Sequence, residues 1–493
     1  MTYLTRFLVM VVALCPLSPA WAVPATDEGA ARLTGVMQTY LGTVPGVVSV
    51  TPQGAEYALV IDPKPLLDMV AQDGVQITFE PVSYTLTDNG DGTWRVSEDQ
   101  QIAWAINLPD LLEHRGSMHL QSDGVWSEAL KTFTKHKSVT TDYVVATTNY
   151  ASTTAPDGTT TTQRVSSDSQ RIARAETETT GKAGAAGAVD QDFIFTATGM
   201  EQTNEIMIAP GQAPFQVALT VPLYEGSGQA VGLQSDRILS LLAWFVAHPS
   251  AEAIKGAQDG LRGELAAALP LWDQMNVDAT LHDIKAMTPI GEVGLASVTA
   301  DIGLSGISAD GRFHESIAMT GLTLPEGVLP AWAVPLVPEE ATFDLTASGF
   351  NLAAPAKMLI ETFDLNATDQ QGGVDPQKLQ QAFLPDGSFS LKFAPSKVRG
   401  ADYQLDYQAD LAIGKMPMPT GSALISAQGL DNVEAALRAA PPEQGAQALM
   451  MLQMARSLAA PGADGKSVWA IEMTQAGSVT INGQPVGGPP AQP

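Results

Sequence analysis

Cysteine is all but missing from this chain of 493 residues: the single one, Cys15, falls in the first 22. If that stretch is removed, what remains can form no disulfide and has no thiolate nucleophile and no cysteine-based metal site. Positive charge is also scarce. Twenty-six basic residues against 53 acidic ones leave a balance of −27, a field that repels phosphate backbones and excludes nucleic acid as a partner. The acids are scattered, and hydrophobic residues make up 45% of the chain. That composition describes a folded acidic protein and not an acidic tail.

Long apolar runs are absent too. The most apolar internal stretch, "RILSLLAWFVAHP" at 237–249, is about half the length a bilayer crossing needs. It reads as a buried core helix, with Ser235 to cap it and Pro249 to end it; the alternative is an apolar helix that lines a ligand cavity or touches a membrane.

The residue patterns of catalysis are missing as well. The six histidines include no H-x-x-x-H pair. His282-Asp283 and His314-Glu315 lie in strand-like segments, where adjacent side chains point to opposite faces. "GADGKS" at 462–467 has Ala460 where a phosphate loop needs its first glycine, and it runs into a strand. "DNGDG" at 88–92 offers Gly90 and Gly92 where a calcium loop needs oxygens, so it is a hairpin turn. No nucleophile elbow or dinucleotide loop occurs. Catalytic, cofactor-binding and metal residues are therefore none, and no enzyme is expected.

What the chain does have begins at its N-terminus. "MTYLTRFLVMVVALCPLSPAWA" carries Arg6, an apolar run over 7–14 and a small-x-small site at Ala20-Trp21-Ala22. This is the pattern of a secretory signal peptide spanning 1–22, with cleavage after Ala22. A periplasmic protein starting at Val23 follows, with no transmembrane anchor left after cleavage. Lipid attachment at Cys15 is disfavoured, because Leu14 stands where a small residue is wanted.

The remaining chain, about 470 residues, is long enough for two or three domains. Residues 23–230 read as a β-rich region. Val82, Tyr84 and Leu86 alternate before the "DNGDG" turn and Trp94 and Val96 after it. Ser and Thr dominate 138–180, which predicts two long exposed antiparallel strands around a "PDG" turn. "GKAGAAGA" at 181–188 reads as a flexible link. A helical connector over 231–270 holds two helices, near 235–248 and 250–269.

Strand alternation returns over 271–493, interrupted by one joint written twice. "TASGFNLAAPAKML" (346–359) and "SAQGLDNVEAALRA" (426–439) each run a strand into a glycine, then a cap-type residue, Asn351 or Asp431, then an Ala-rich helix. Met450, Met451 and Met454 in the last helix are expected to fill a core. The fold class is α+β: β-rich, with long, curved antiparallel sheets and helices packed over one face.

Alternation places Tyr403, Leu405 and Tyr407 on one face, continued by Leu411 and Ile413, with Phe343 and Leu345 on the corresponding face of a neighbouring strand. Helices over 351–363 and 432–458 either cover this surface or leave a trough.

The segments "MPMPTGSALISAQGLDNVEAAL" (416–437) and "WAIEMTQAGSVTINGQPV" (469–486), with "GDGTW" at 90–94, resemble domain-of-unknown-function family 2125, exported proteins of alphaproteobacteria. The resemblance implies export and a β-rich fold. It carries no assigned activity and no site residues. The expectation is a non-enzymatic envelope protein that binds or carries a lipid or other apolar ligand. The alternative is a structural or protein-interaction component of the periplasm with no ligand.

Overall fold

The computed structural model describes residues 24–70, 75–208, 213–367, 375–414, 419–474 and 477–486. The signal-type segment, Cys15 and the cleavage site lie outside them. The chain divides into two compact units. The first is residues 1–273 with 286–289 and 363–372; the second is the remainder.

In the first unit, α1 (Asp27–Leu41) precedes β1 (Val48–Gln53), β2 (Glu56–Ile61), α2 (Lys64–Val70), β3 (Gln76–Phe79) and β4 (Val82–Asp88). Six long strands follow: β5 (Thr93–Leu108), β6 (Leu112–Ser127), β7 (Thr132–Thr154), β8 (Thr160–Ala183), β9 (Val189–Ile206) and β10 (Phe215–Leu233). They pair antiparallel in the order β1-β2-β4-β5-β6-β7-β8-β9-β10, with β3 alongside β5. Three helices close the unit: α3 (Ser235–Ala247), α4 (Ala251–Gly256) and α5 (Gln258–Ala268).

Turn chemistry sets this ladder. The Asp88 carboxylate accepts from Gly90 N at 2.8 Å, Asp91 accepts from Thr93 N at 3.0 Å, and Gly90 and Gly92 take positive φ. The Thr-rich segment forms the two long strands expected of it. They turn at 155–159, where Asp157 accepts from Thr159 N at 2.9 Å. Both continue the ladder, because β7 also pairs with β6 and β8 with β9.

The core of this unit comes from an unexpected source. Helix α1 was not anticipated, yet Ala30, Leu33 and Met37 fall at helical spacing and bury against Leu59, Ile61, Val82, Tyr84 and Trp94. Thr26 caps it, accepting from Gly29 N at 3.0 Å.

Four expectations need correction. "GKAGAAGA" is no flexible link: Gly184 N donates to Ala188 O at 2.8 Å, a short helical turn spans Ala185–Gly187, and Ala188 and Val189 are buried. Helix α3 is not a core helix, since only Ser235 and Leu239 are buried along it and Phe245 is 41% exposed. Ser235 lies inside α3, whose start has no side-chain cap. The second connector helix is two helices, broken at Ala257.

The second unit takes in most of β11 (Gln274–Thr288), then β12 (Gly291–Ser305), β13 (Gly311–Thr320), β14 (Glu340–Phe350), α6 (Ala353–Thr362) and α7 (Pro376–Phe383). After these come β15 (Ser388–Arg399), β16 (Gln404–Gly414), β17 (Thr420–Gln428), α8 (Leu430–Ala439) and α9 (Pro442–Ser457). Short strands end the chain: β18 (Ala460–Pro461), β19 (Ser467–Met473), β20 (Val479–Ile481) and β21 (Gln484–Pro485). The antiparallel order is β12-β13-β14-β15-β16-β17-β19-β20-β21, with β18 on β19.

The repeated joint is real in its backbone. Gly349 and Gly429 both take positive φ, at 82° and 73°, a conformation that side chains resist. The caps differ. Asn351 Oδ1 accepts from Ala354 N at 2.8 Å, as an N-cap does. Asp431 does not cap: α8 starts one residue before it, and its carboxylate pairs with Arg456 at 2.6 Å. The expected helix over 432–458 is two, interrupted at Pro441-Pro442, where proline can start a helix but not continue one.

Candidate functional site

Directly opposed residues in a sheet share a face, so the register of the second unit defines its two surfaces. Leu405 stands opposite Val398 and Ala427, and Tyr407 opposite Ser396 and Ile425. Leu411 opposes Leu391, and Ile413 opposes Phe389. Farther out, Leu345 opposes Phe393, and Ile425 opposes Trp469. One face is therefore apolar from β12 to β20. The other carries Asp301, His314, Thr346, Lys397, Asp406 and Ser426.

Sequence reasoning places Phe343 and Leu345 on a strand next to that of Tyr407, and this is corrected. β15 lies between them, so Phe389, Leu391 and Phe393 belong to the same surface. Two of the five anticipated side chains, Phe343 and Tyr407, make contacts across these strands. Phe343 meets Phe393 edge to face at 5.8 Å between centroids, and Tyr407 Oη donates to Thr342 O on β14 at 3.0 Å. Tyr403 precedes β16; it lies over Gly400 and donates its hydroxyl to Leu336 O at 2.9 Å. Burial raises the Tyr403 phenol above the ordinary tyrosine range.

β15 reaches both neighbours only through a bulge, with its register shifting against β14 and β16 around Ala394 and Pro395. Proline suits such a position because it has no N–H to give the ladder. Hydroxyls take over the missing bonds. Ser396 Oγ accepts from Asp344 N at 3.2 Å and donates to Ala394 O at 2.9 Å, while Thr342 Oγ1 accepts from Lys397 N at 2.9 Å.

Coverage of the apolar face is uneven. Trp469 is buried where its indole N–H donates to Ala455 O on α9 at 2.7 Å, and Ala427 is buried beside it. Phe343, Leu345, Phe393, Leu405, Tyr407 and Ile425 are all only half-buried. Ile302 and Ile317, toward β12, are 39% and 38% exposed. At the end of β14, Phe350 stacks on Phe383 of α7 at 5.4 Å. Met450, Met451 and Met454 fill no core: α9 presents all three to solvent, Met450 at 65% exposure.

Two shallow concavities open mainly on the polar surface. One, of about 490 Å³, lies over the bulge, lined by Ser316, Asp344, Ser396, Lys397, Asp406 and Ser426 among others. Asp406 accepts from Gln404, Lys466 and Ser426 at 2.6, 2.9 and 3.3 Å. Burial works against its charge, but these bonds outweigh it and hold the carboxyl below the ordinary range. The other, of about 480 Å³, is lined by Asp386, Ser388, Asp410 and Ser422 among others. Nearby, His314 sits between Asp301 at 3.2 Å and Thr346 Oγ1 at 3.1 Å. Asp406 and His314 thus have partners; of the five anticipated ligand-facing residues only Tyr407 lines either concavity, the one over the bulge.

No protein-family model matches the chain, nor does any curated protein or solved structure.

Proposed function

We propose that this is an exported, non-enzymatic envelope protein related to family 2125, which binds and carries an apolar, lipid-like ligand along the apolar face of its second unit. In this reading the sheet curves around the ligand, and helices cover only part of the face. Phe343, Leu345, Tyr403, Leu405 and Tyr407 are its ligand-facing residues, joined by Phe393 and Ile425.

One observation carries the proposal. The apolar face of the second unit is continuous over several strands, yet its large side chains stay half-buried, whereas Leu33, Leu59 and Ile102 of the first unit are sealed. A finished core closes around its side chains; a ligand trough waits for its occupant. Native mass spectrometry of the full chain, purified without detergent, tests this. An added mass in the lipid range, lost on organic extraction, is expected. A bare mass, together with no binding of a neutral apolar fluorophore, overturns it.

The exposed methionines of α9 favour a second reading, a periplasmic interaction component whose partner covers that adaptable surface. It would be preferred if the extracted and unextracted masses were equal and a protein partner co-purified through α9.

A further inference from the structure

One charged side chain interrupts the apolar face. Glu315 stands directly opposite Ile302 on β12 and Leu345 on β14, with Phe313 and Ile317 flanking it on the same side of β13. Among the described residues that the register aligns on this face, from β12 to β20, it alone carries a charge at neutral pH. Its neighbour His314 points to the polar side, toward Asp301 and Thr346. No described residue gives the Glu315 carboxylate a hydrogen bond or an ion pair.

An acid that served only the fold would be expected on the polar surface, where Asp301, Asp344 and Asp406 all have partners. Glu315 instead sits beside Ile302 and Ile317, the most open part of the apolar face. Water can solvate it there while the trough is empty, so its charge is not costly. When an apolar molecule lies on the face, this carboxylate is the group its polar end meets.

We propose that the trough takes cationic amphiphiles, the ammonium head held by Glu315 and the apolar body lying across β14 to β17. The inference rests on the reading of this face as a ligand site. Charge complementarity selects the head: a carboxylate attracts an ammonium and repels a carboxylate or phosphate, and a chain of net charge −27 strengthens both effects. Geometry allows the body: β13 to β17 spans roughly 19 Å at ordinary strand spacing, within reach of a medium-length alkyl chain.

The experiment uses the full chain, a neutral naphthyl fluorophore as reporter, and three competitors that differ only in the head: dodecylamine, dodecanol and dodecanoate. All are kept below micelle-forming concentrations. The amine is expected to displace the reporter at roughly one tenth the concentration of the alcohol, with the carboxylate weakest. Glu315→Gln, which keeps the shape, should bring the amine to within about threefold of the alcohol, leave the alcohol and reporter unchanged, and melt like the parent. Equal displacement by all three in both proteins overturns the role of Glu315 while leaving the trough intact. A preference for the alcohol that needs Glu315 also overturns it, because the head would then be a hydroxyl donor. If the reporter does not bind the parent at all, the trough reading fails and the inference falls with it.

Discussion

Glu98 shows how a residue can contradict its strand. It shares a face of β5 with Trp94, Val96 and Ile102 and is itself buried, accepting from Ser122 Oγ at 2.8 Å and Gln100 Nε2 at 2.9 Å. Burial raises its carboxyl above the ordinary range, although those two bonds oppose the shift. His114, on β6, is buried as well. Trp104 Nε1 donates to its Nε2 at 3.2 Å, so Nδ1 bears the proton and faces Thr147 Oγ1 at 2.9 Å. Burial lowers its pKa. The two act on stability with opposite signs. The folded chain holds the Glu98 proton more tightly than the unfolded chain, so this group's contribution falls as pH rises above the ordinary glutamate value. The folded chain keeps His114 neutral, so its contribution falls as pH drops below about 6.5. Urea unfolding between about pH 4 and pH 7 should therefore show Glu98→Gln gaining on the parent as pH rises, and a neutral replacement of His114 gaining as pH falls. A difference independent of pH in either case would contradict that assignment.

The same scale separates the two cap-type residues. Asn351→Ala should cost about 1 kcal/mol in denaturant melts, the usual loss for an N-cap. Asp431→Ala breaks only an exposed ion pair and should cost roughly half a kcal/mol or less. The motif spelling made them look equivalent. What distinguishes them is where the helix starts relative to the glycine, four residues after Gly349 in one case and immediately after Gly429 in the other.

At the scale of elements, the hairpins were the most legible. "DNGDG" and "PDG" specify backbone shapes by local chemistry, and alternation such as Val82, Tyr84, Leu86 reports a buried face directly. Strand partners were not legible, because alternation gives a strand its faces and not its neighbours. That is why β15 was overlooked between Phe343 and Tyr407. Helix α1 was written plainly as Thr26 followed by Ala30, Leu33 and Met37, but an Ala- and Gly-containing start disguised it. The bulge at Pro395 could only be seen once both neighbouring registers were known.

The joints give an element-scale prediction with unequal outcomes. Both glycines have positive φ, which costs an alanine about 1–2 kcal/mol. At Gly349 an added Cβ would meet nothing nearer than 3.8 Å; at Gly429 it would lie 2.0 Å from Asp402 O. Gly349→Ala should pay for backbone strain alone, whereas Gly429→Ala must also displace the backbone at Asp402 and Tyr403 ahead of β16 and should be clearly the more damaging in thermal melts. Equal losses would mean that the loop at Asp402 yields freely.

On the scale of the whole molecule, two units built from the same grammar of long antiparallel strands end in different states. The first closes a core under α1, where Leu59 is 0% exposed. The second leaves its apolar face half-covered, with Glu315 the one charged residue among the described residues that the register aligns on it. The acidic balance was legible from composition and sets the sign of what such a face can attract. The site was legible only as a list of alternating residues, since openness depends on how far α8 and α9 reach across strands that are distant in sequence.

The measurement that bears most directly on this account is titration of a neutral apolar fluorophore into the full chain and into Leu405→Asp, with far-UV circular dichroism on both. A charge in a closed core should abolish folding, whereas a charge on a trough wall should spare it. Saturable binding to the parent is expected, and a Leu405→Asp protein with the parent's spectrum that no longer binds. A parent that binds nothing, or a Leu405→Asp chain that fails to fold, would contradict it.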